Sequence, residues 1–397
     1  MNPLSNLFKK FYTRTPSYDF LVLGADGMQG NIVSRDLLEK KYRVLMADLH
    51  DNKLKKLLKK HTAGFELIDL RDIPSTIALI KKSGASAVIN CAEGDWNLNV
   101  YQACVQTKRH CLDLGSHPPM TKEQIALHKQ FKENDTTAIT GCGSTPGIGN
   151  VMLRYAAKKF DTIETIVGGF AWDSNIKEFV VPFSIISILE EFTDPALFLE
   201  NGKWVEKIPL DNAITRNHRE VGEQEIFPVI HSEPLTFYQT YKDKGVKNIR
   251  FYGGFPKHSK DKIISFMELG LNSKEPVMVD GVKVVPPEFL GAALKKLPVP
   301  EGYKEYENLW VELTGTKDGV DKKILMECIV PTLKGWESAG CNIDTGFPCA
   351  IMAEMIKNGV ITKRGSFAPE AVVPEEPFFK ELKKKKMLVY ENGRNIN

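Results

Sequence analysis

The 397-residue chain is 42% apolar and 26% charged, and Lys+Arg 53 against Asp+Glu 50 leaves a net charge of +3. That composition excludes a disordered or fibrous chain, and at roughly 100–200 residues per domain the length predicts two or three domains. The even charge balance argues against a nucleic-acid partner. No apolar run reaches the ~18 residues of a membrane-spanning helix, so no membrane partner is expected either.

The first 17 residues carry Lys9, Lys10 and Arg14 with no acid. They read as an N-terminal arm, with a short transit peptide as the alternative. From Tyr18 onward, short apolar runs at 20–24, 43–48, 65–70, 86–91, 110–114 and 136–141 alternate with helical patterns. Met28, Ile32, Val33 and Leu37 share one face over 28–40, and Thr121 with Gln124 suggests a capping box opening a helix at 122–133. This alternation is the pattern of βαβ units. It predicts an α/β fold whose residues 18–150 form a doubly wound parallel sheet of the Rossmann dinucleotide-binding type.

After residue 150 the pattern changes. A helix at 151–160 and a strand at 163–171 precede hairpin signals at Asn201-Gly202, Asp280-Gly281 and Asp318-Gly319, the last between runs at 309–315 and 323–330. Residues 151–330 therefore read as an α+β second domain with a mainly antiparallel sheet, including a helix at 287–297. Residues 331–397 are too few for a domain and are expected to pack back toward the first. Pro348 is expected in the first turn of a helix there, and Lys383 to Lys386 on a solvated helix face. Seven cysteines, at 91, 104, 111, 142, 328, 341 and 349, lack zinc-site spacing. They read as reduced core residues of a cytoplasmic protein, and no metal is expected.

Residues 24–30 read G-A-D-G-M-Q-G between a strand and a helix. A dinucleotide pyrophosphate needs such a tight turn, and Gly24, Gly27, Met28 and Gly30 are the candidates to receive it at a helix N-terminus. Asp26, in the middle of the turn, would have to face away from phosphate. Asp48 ends the second strand, where a carboxylate bonds ribose hydroxyls and disfavours a 2′-phosphate; NAD is the expected cofactor, with NADP possible.

The segments Leu112-Asp113-Leu114-Gly115 with His117, Thr145-Pro146-Gly147-Ile148-Gly149-Asn150, Phe192 to Leu197, Ile249-Arg250, and Gly359 to Gly365 with Pro369-Glu370 occur in the order found in the saccharopine dehydrogenase family. The chain resembles that family over residues 20 to about 390, and within it the lysine 6-dehydrogenase branch. The resemblance implies a Rossmann domain, a second domain with an open sheet that forms a homodimer, and NAD(P)-dependent oxidation or reduction at the C–N bond of an amino-acid substrate. Lysine 6-dehydrogenase-like deamination comes first. Saccharopine- or carboxynorspermidine-type reductive condensation is the alternative, and a non-catalytic NAD(P)-binding regulator the rival from another class. Residues 237–242 and Gly254 depart from the lysine branch in the region expected to shape the substrate pocket.

Such chemistry needs a group to carry a proton, and His117 is the candidate acid/base, with Asp113 to orient it or to line the nicotinamide pocket. Each has a plainer alternative, a solvated loop histidine and a strand-end acid. Asn90, Cys91 and Asn97 are candidates for the cofactor's ribose and nicotinamide, and Pro146, Gly147 and Asn150 for the wall beneath it. Arg250 is the expected clamp for a substrate carboxylate. Lys257 and Glu190 are further substrate-binding candidates.

Overall fold

The computed structural model describes residues 17–61, 63–181 and 183–397; the basic N-terminal segment lies almost wholly outside them. The first half runs β1 (Phe20–Leu23), α1 (Met28–Glu39), β2 (Val44–Asp48), α2 (Lys55–Lys60), β3 (Gly64–Leu67), α3 (Ile73–Ser83), β4 (Ala87–Asn90), α4 (Asn97–Thr107), β5 (His110–Asp113), α5 (Pro118–Ala126), α6 (His128–Glu133) and β6 (Thr137–Ile139). Its strands pair in parallel, and the full sheet has the order β3-β2-β1-β4-β5-β6 plus one strand from the far C-terminus. Phe20 and Val22 enter the core on one face while Leu21 and Leu23 enter that on the other. Both faces are covered, which is why these strands read as unbroken apolar runs. The order in which strands are added reverses between β1 and β4, the place where a doubly wound sheet opens a crevice for a ligand.

α7 (Ile148–Ala157) leads into β7 (Thr162–Ser174), α8 (Ile185–Thr193), β8 (Ala196–Glu200), β9 (Lys203–Lys207), β10 (Ile214–His218), β11 (Gly222–Pro228), α9 (Glu233–Tyr241), β12 (Asn248–Gly254), α10 (Lys257–Glu268), β13 (Val277–Val279), β14 (Val282–Val284), α11 (Pro286–Leu294), β15 (Glu305–Lys317) and β16 (Val320–Pro331). The second sheet is antiparallel except where β12 runs parallel to β7. The three hairpin dipeptides each join an antiparallel pair, and Asn201, Asp280 and Asp318 all take the positive φ such turns demand.

Beyond Pro331 come α12 (Ile343–Lys357), β17 (Gly365–Phe367), α13 (Pro369–Val372), α14 (Glu375–Lys384), β18 (Leu388–Glu391) and β19 (Arg394–Asn395). β17 extends the first sheet beside β6, and β18 pairs with β16 in the second. Helix α12 lies against α1 so closely that a Cβ on Gly346 would sit 2.4 Å from Ile32 Cγ2.

Three local expectations need correction. The helix after β5 starts at Pro118, not residue 122, because Pro118 and Pro119 carry the φ of a first turn. Pro348 lies inside α12, which begins five residues earlier at Ile343. Lys385 is not on a solvated face, since its ammonium pairs with the buried Asp36. All seven cysteines are free and all but Cys91 are buried. Among the described residues no helix is long and apolar enough to cross a membrane, and no group of His, Cys, Asp or Glu could hold a metal ion.

Candidate active site

The carboxyl ends of β1, β2, β4 and β5 meet along one edge of the first sheet. At the end of β1 the chain turns over Gly24 (φ +70°), where a Cβ would lie 2.5 Å from Ala92 N just past β4. A Cβ on Gly30 would lie 2.1 Å from Gly24 O, so only glycine lets α1 rest on the turn. Gly27 caps α1 without a side-chain bond. The first helical N–H groups, those of Met28, Gln29 and Gly30, and the positive end of the helix dipole are thus left for an anion. Asp26 does turn away: its Oδ1 accepts from Lys53 N at 2.6 Å, and its N–H donates to Asp48 Oδ2 at 2.8 Å. The other Asp48 oxygen accepts from Leu49 N at 2.6 Å. This geometry fits a dinucleotide, with its phosphates at Gly27–Gly30 and Asp48 at the adenosine ribose. Asp48→Ala is expected to weaken NADH binding about tenfold, the ~1.4 kcal/mol of one charge-assisted hydrogen bond, and to narrow the gap to NADPH. Fluorescence titration checks this, and unchanged affinity for both would remove Asp48 from the site.

Asn90 and Asn97 use their amides on the protein. Asn90 Nδ2 donates to Asn97 Oδ1 at 2.7 Å, and Asn97 Nδ2 donates to Gly115 O at 3.1 Å. The pair therefore joins β4, α4 and the loop after β5, with Cys91 beside the Gly24 turn. Asp113 is fully buried and accepts from Tyr101 Oη, Gln124 Nε2 and Gly115 N at 2.6–2.7 Å, and from Thr140 Oγ1 and Gly141 N at 3.1–3.2 Å. Burial raises its pKa against these bonds. With every oxygen engaged and no bond to His117, Asp113 holds the strand ends together, the plainer of its two readings.

The Pro146 ring covers Gly115 and Gly141, whose Cβ atoms would meet Pro146 Cγ at 2.8 and 2.6 Å. Gly147 N donates to Asn150 Oδ1 at 2.8 Å, and Asn150 Nδ2 donates to the buried Glu370 at 2.7 Å. The two separated motifs, Pro146 to Asn150 and Pro369-Glu370, are thus one hydrogen-bonded unit.

Across the cleft, His117 Nε2 stands 3.7 Å from Glu190 Oε2 on α8, and Glu190 Oε1 binds Lys274 Nζ at 3.0 Å. His117 and Glu190 are therefore neighbours, although the His117 side chain is 46% exposed. Arg250 and Lys257 are not part of this group. Along β12, Ile249 and Phe251 enter the main core, while Arg250 pairs in register with Val167 and points with Tyr252 to the opposite face, where Phe198, Ile226 and Trp310 form a separate buried cluster. The alternation of a strand puts the expected carboxylate clamp on the wrong side of the sheet. Lys257 lies in solvent on α10, paired with Asp261. Gly254 also faces that second cluster, next to Ile226, and residues 237–242 are no loop, since Phe237 and Tyr241 of α9 pack into the core.

The face of β15 turned toward the start of α12 instead carries a group of acids. Glu305 and Glu307 sit at alternate positions of β15, on the face that continues as Leu309, Val311 and Leu313. Glu307 is hydrogen-bonded to Asp344 in the first turn of α12. Asp344 Oδ1 accepts from Thr345 Oγ1 at 3.1 Å, and Thr345 Oγ1 lies 3.2 Å from Ser144 Oγ beside Pro146. Two hydroxyls therefore connect the carboxyl pair to the loop at the expected nicotinamide end. Burial lifts Asp344 to about 7, and burial together with the Asp344 charge pushes Glu307 well up. Nearby, His231 lies 3.2 Å from Glu233 and 3.7 Å from Glu191 and stacks on Phe251. Burial disfavours its charge, but the two carboxylates overcome this and raise His231 to about 10. Glu307, Asp344 and His231, and the bond that ties Glu370 to Asn150, were not singled out from the sequence. The one available signal was the alternation that aligns Glu305 and Glu307 with a core-facing row.

The saccharopine dehydrogenase NADP-binding domain model matches residues 20–139, and the saccharopine dehydrogenase C-terminal domain model matches residues 143–388. A carboxyaminopropylagmatine dehydrogenase of Synechocystis sp. is 26% identical over 328 residues, 79% of this chain and 81% of that protein. The apo saccharopine dehydrogenase (L-Glu forming) of Saccharomyces cerevisiae superposes with a TM-score of 0.74 at 14% identity, covering 96% of this chain and 100% of that one. With the glycine turn and the two-sheet architecture, these matches establish that the chain belongs to the saccharopine dehydrogenase family of NAD(P)-dependent oxidoreductases.

Proposed function

We propose that the protein makes or splits the C–N bond of a secondary amine by reductive condensation of an amine with an aldehyde, using NAD(H) in preference to NADP(H). The observation that carries the amine-substrate part of this reading is the buried Glu307–Asp344 pair, which among the described residues meets no cationic side chain. Buried carboxylates with no counter-ion suit a substrate that brings its own positive charge. The name of the Synechocystis relative describes an agmatine bearing a carboxyaminopropyl group, which is such an amine. Dividing that molecule at the shared nitrogen leaves agmatine and an amino-acid aldehyde, aspartate semialdehyde.

In the forward direction the amine attacks the carbonyl carbon, water leaves, and the imine carbon takes a hydride while its nitrogen takes a proton. A bound nicotinamide supplies that hydride. The chain's own residues hold the amine, keep water out, and carry protons. His117, paired with Glu190 at the mouth of the cleft, can exchange a proton with solvent. Lysine deamination would use the same hydride step, and the acids would suit its side-chain ammonium equally.

A panel separates the readings. Absorbance at 340 nm would be followed with NAD+ plus lysine, saccharopine or carboxyaminopropylagmatine, and with NADH plus agmatine and aspartate semialdehyde. Turnover of a secondary amine in at least one direction is expected. Turnover of lysine alone would favour deamination, and cofactor binding with no turnover would favour a regulatory protein.

A further inference from the structure

We infer that the Glu307–Asp344 carboxyl pair, walled by Trp172, is the subsite that receives the substrate's cationic amine and gives up a proton as that cation binds. This rests on the amine-substrate reading and specifies where the charge is held. Glu307 and Trp172 are directly paired in register on β15 and β7, on the same face of the sheet. Such cross-strand neighbours place their Cβ atoms about 5 Å apart. Trp172 is 3% exposed, and its Nε1 finds no acceptor within the protein. Glu191 Oε2 is likewise buried without a hydrogen-bond donor. Open polar atoms on β7 and α8, beside the carboxyl pair, mark a place that a ligand completes. Acceptors dominate it, so the ligand brings donors: an alkylammonium or a guanidinium, with the indole face as a favourable wall for either.

The surroundings leave no other source of positive charge. Glu305 on β15, Glu191 on α8, Cys328 on β16 and Cys341 at the entry to α12 face the pair, and none is cationic. The His231 charge is already shared between Glu191 and Glu233. With Asp344 at about 7 and Glu307 well above its ordinary value, the pair retains at least one proton at neutral pH. A bound cation favours the fully ionised pair, so the proton leaves to solvent and amine affinity rises with pH through about 7.

Calorimetric titration of cadaverine and of agmatine into the NADH-loaded protein at pH 7, in phosphate and in Tris, tests this. At least one amine is expected to bind, with release approaching one proton per amine, read from the buffer dependence of the heat. Glu307→Gln and Asp344→Asn should each weaken binding tenfold or more and abolish the release, while NADH affinity stays at the wild-type value. Should either variant fail to fold, the wild-type rise in affinity between pH 6 and 8 remains as the test. Binding of neither amine, wild-type affinity in both variants, or no proton release would overturn the subsite. Turnover of an amine together with any of these outcomes would leave the C–N reading standing without it. Amine binding with no turnover would remove the proposed reaction alone.

Discussion

Alanine at Gly30 is expected to raise the dissociation constant for NADH about a hundredfold. The added methyl would lie 2.1 Å from Gly24 O and 2.7 Å from Ala25 Cα, so α1 must move away from the turn that closes β1. Forcing one extra carbon into a filled space costs up to ~3 kcal/mol, and each ~1.4 kcal/mol is a tenfold change in affinity. The same shift moves the uncapped N–H groups of α1 away from a bound phosphate. NADH fluorescence titration checks the affinity, with thermal unfolding alongside to register the strain on the fold. Unchanged affinity would mean that the phosphates do not bind at this helix.

His231→Ala is expected to destabilise the protein by about 3–5 kcal/mol, the usual penalty when one member of a buried ion pair is removed. The loss arises from the partners. Glu233 is completely buried and Glu191 nearly so, and without the imidazolium both carboxylates face low dielectric with no counter-charge. Denaturant unfolding at pH 7 measures it. The pH dependence has a definite sign. Because the folded-state value of about 10 exceeds the unfolded value of about 6.5, the His231 contribution is complete below pH 6.5 and disappears as pH rises toward 10. The variant should therefore approach the wild type in stability at pH 10. A difference that is small at pH 7, or constant from pH 6 to 10, would mean that His231 is neutral in the fold.

The nucleotide-binding half was legible because each of its signals is local. Apolar runs such as 20–24 become strands buried on both faces, Gly27 and Gly30 answer to Gly24 O within a single turn, and Asp48 is defined by the end of its own strand. Where an outcome depended on packing between distant segments, the sequence was silent or misleading. Arg250 looked suited to a carboxylate, yet which side of β12 enters the main core is decided by the packing of Ile249 and Phe251, with α9 against the strand. Asp113 looked like a partner for His117 until Tyr101, Gln124 and Thr140 occupied its oxygens. Helix α12 begins before Pro348 because its first turn is held by tertiary contacts, including Cys341 N donating to Glu305 at 2.8 Å just ahead of it. The carboxyl pair joins residues 307 and 344, which meet only after β16 has run its length and the chain has turned back. Alternation on β15 could have marked Glu307 as inward-facing; nothing local could have supplied its partner.

Hydride transfer to carbon beside nitrogen is the centre of this account, and deuterium reports it directly. The protein would be incubated with agmatine, aspartate semialdehyde and NADH deuterated at the nicotinamide C4 on the transferred face, and the product analysed by mass spectrometry. One deuterium on the carbon joined to the new nitrogen is the predicted result. Saturable NADH binding with no deuterium in any amine product, from these substrates or from the wider panel run in reverse, would contradict it.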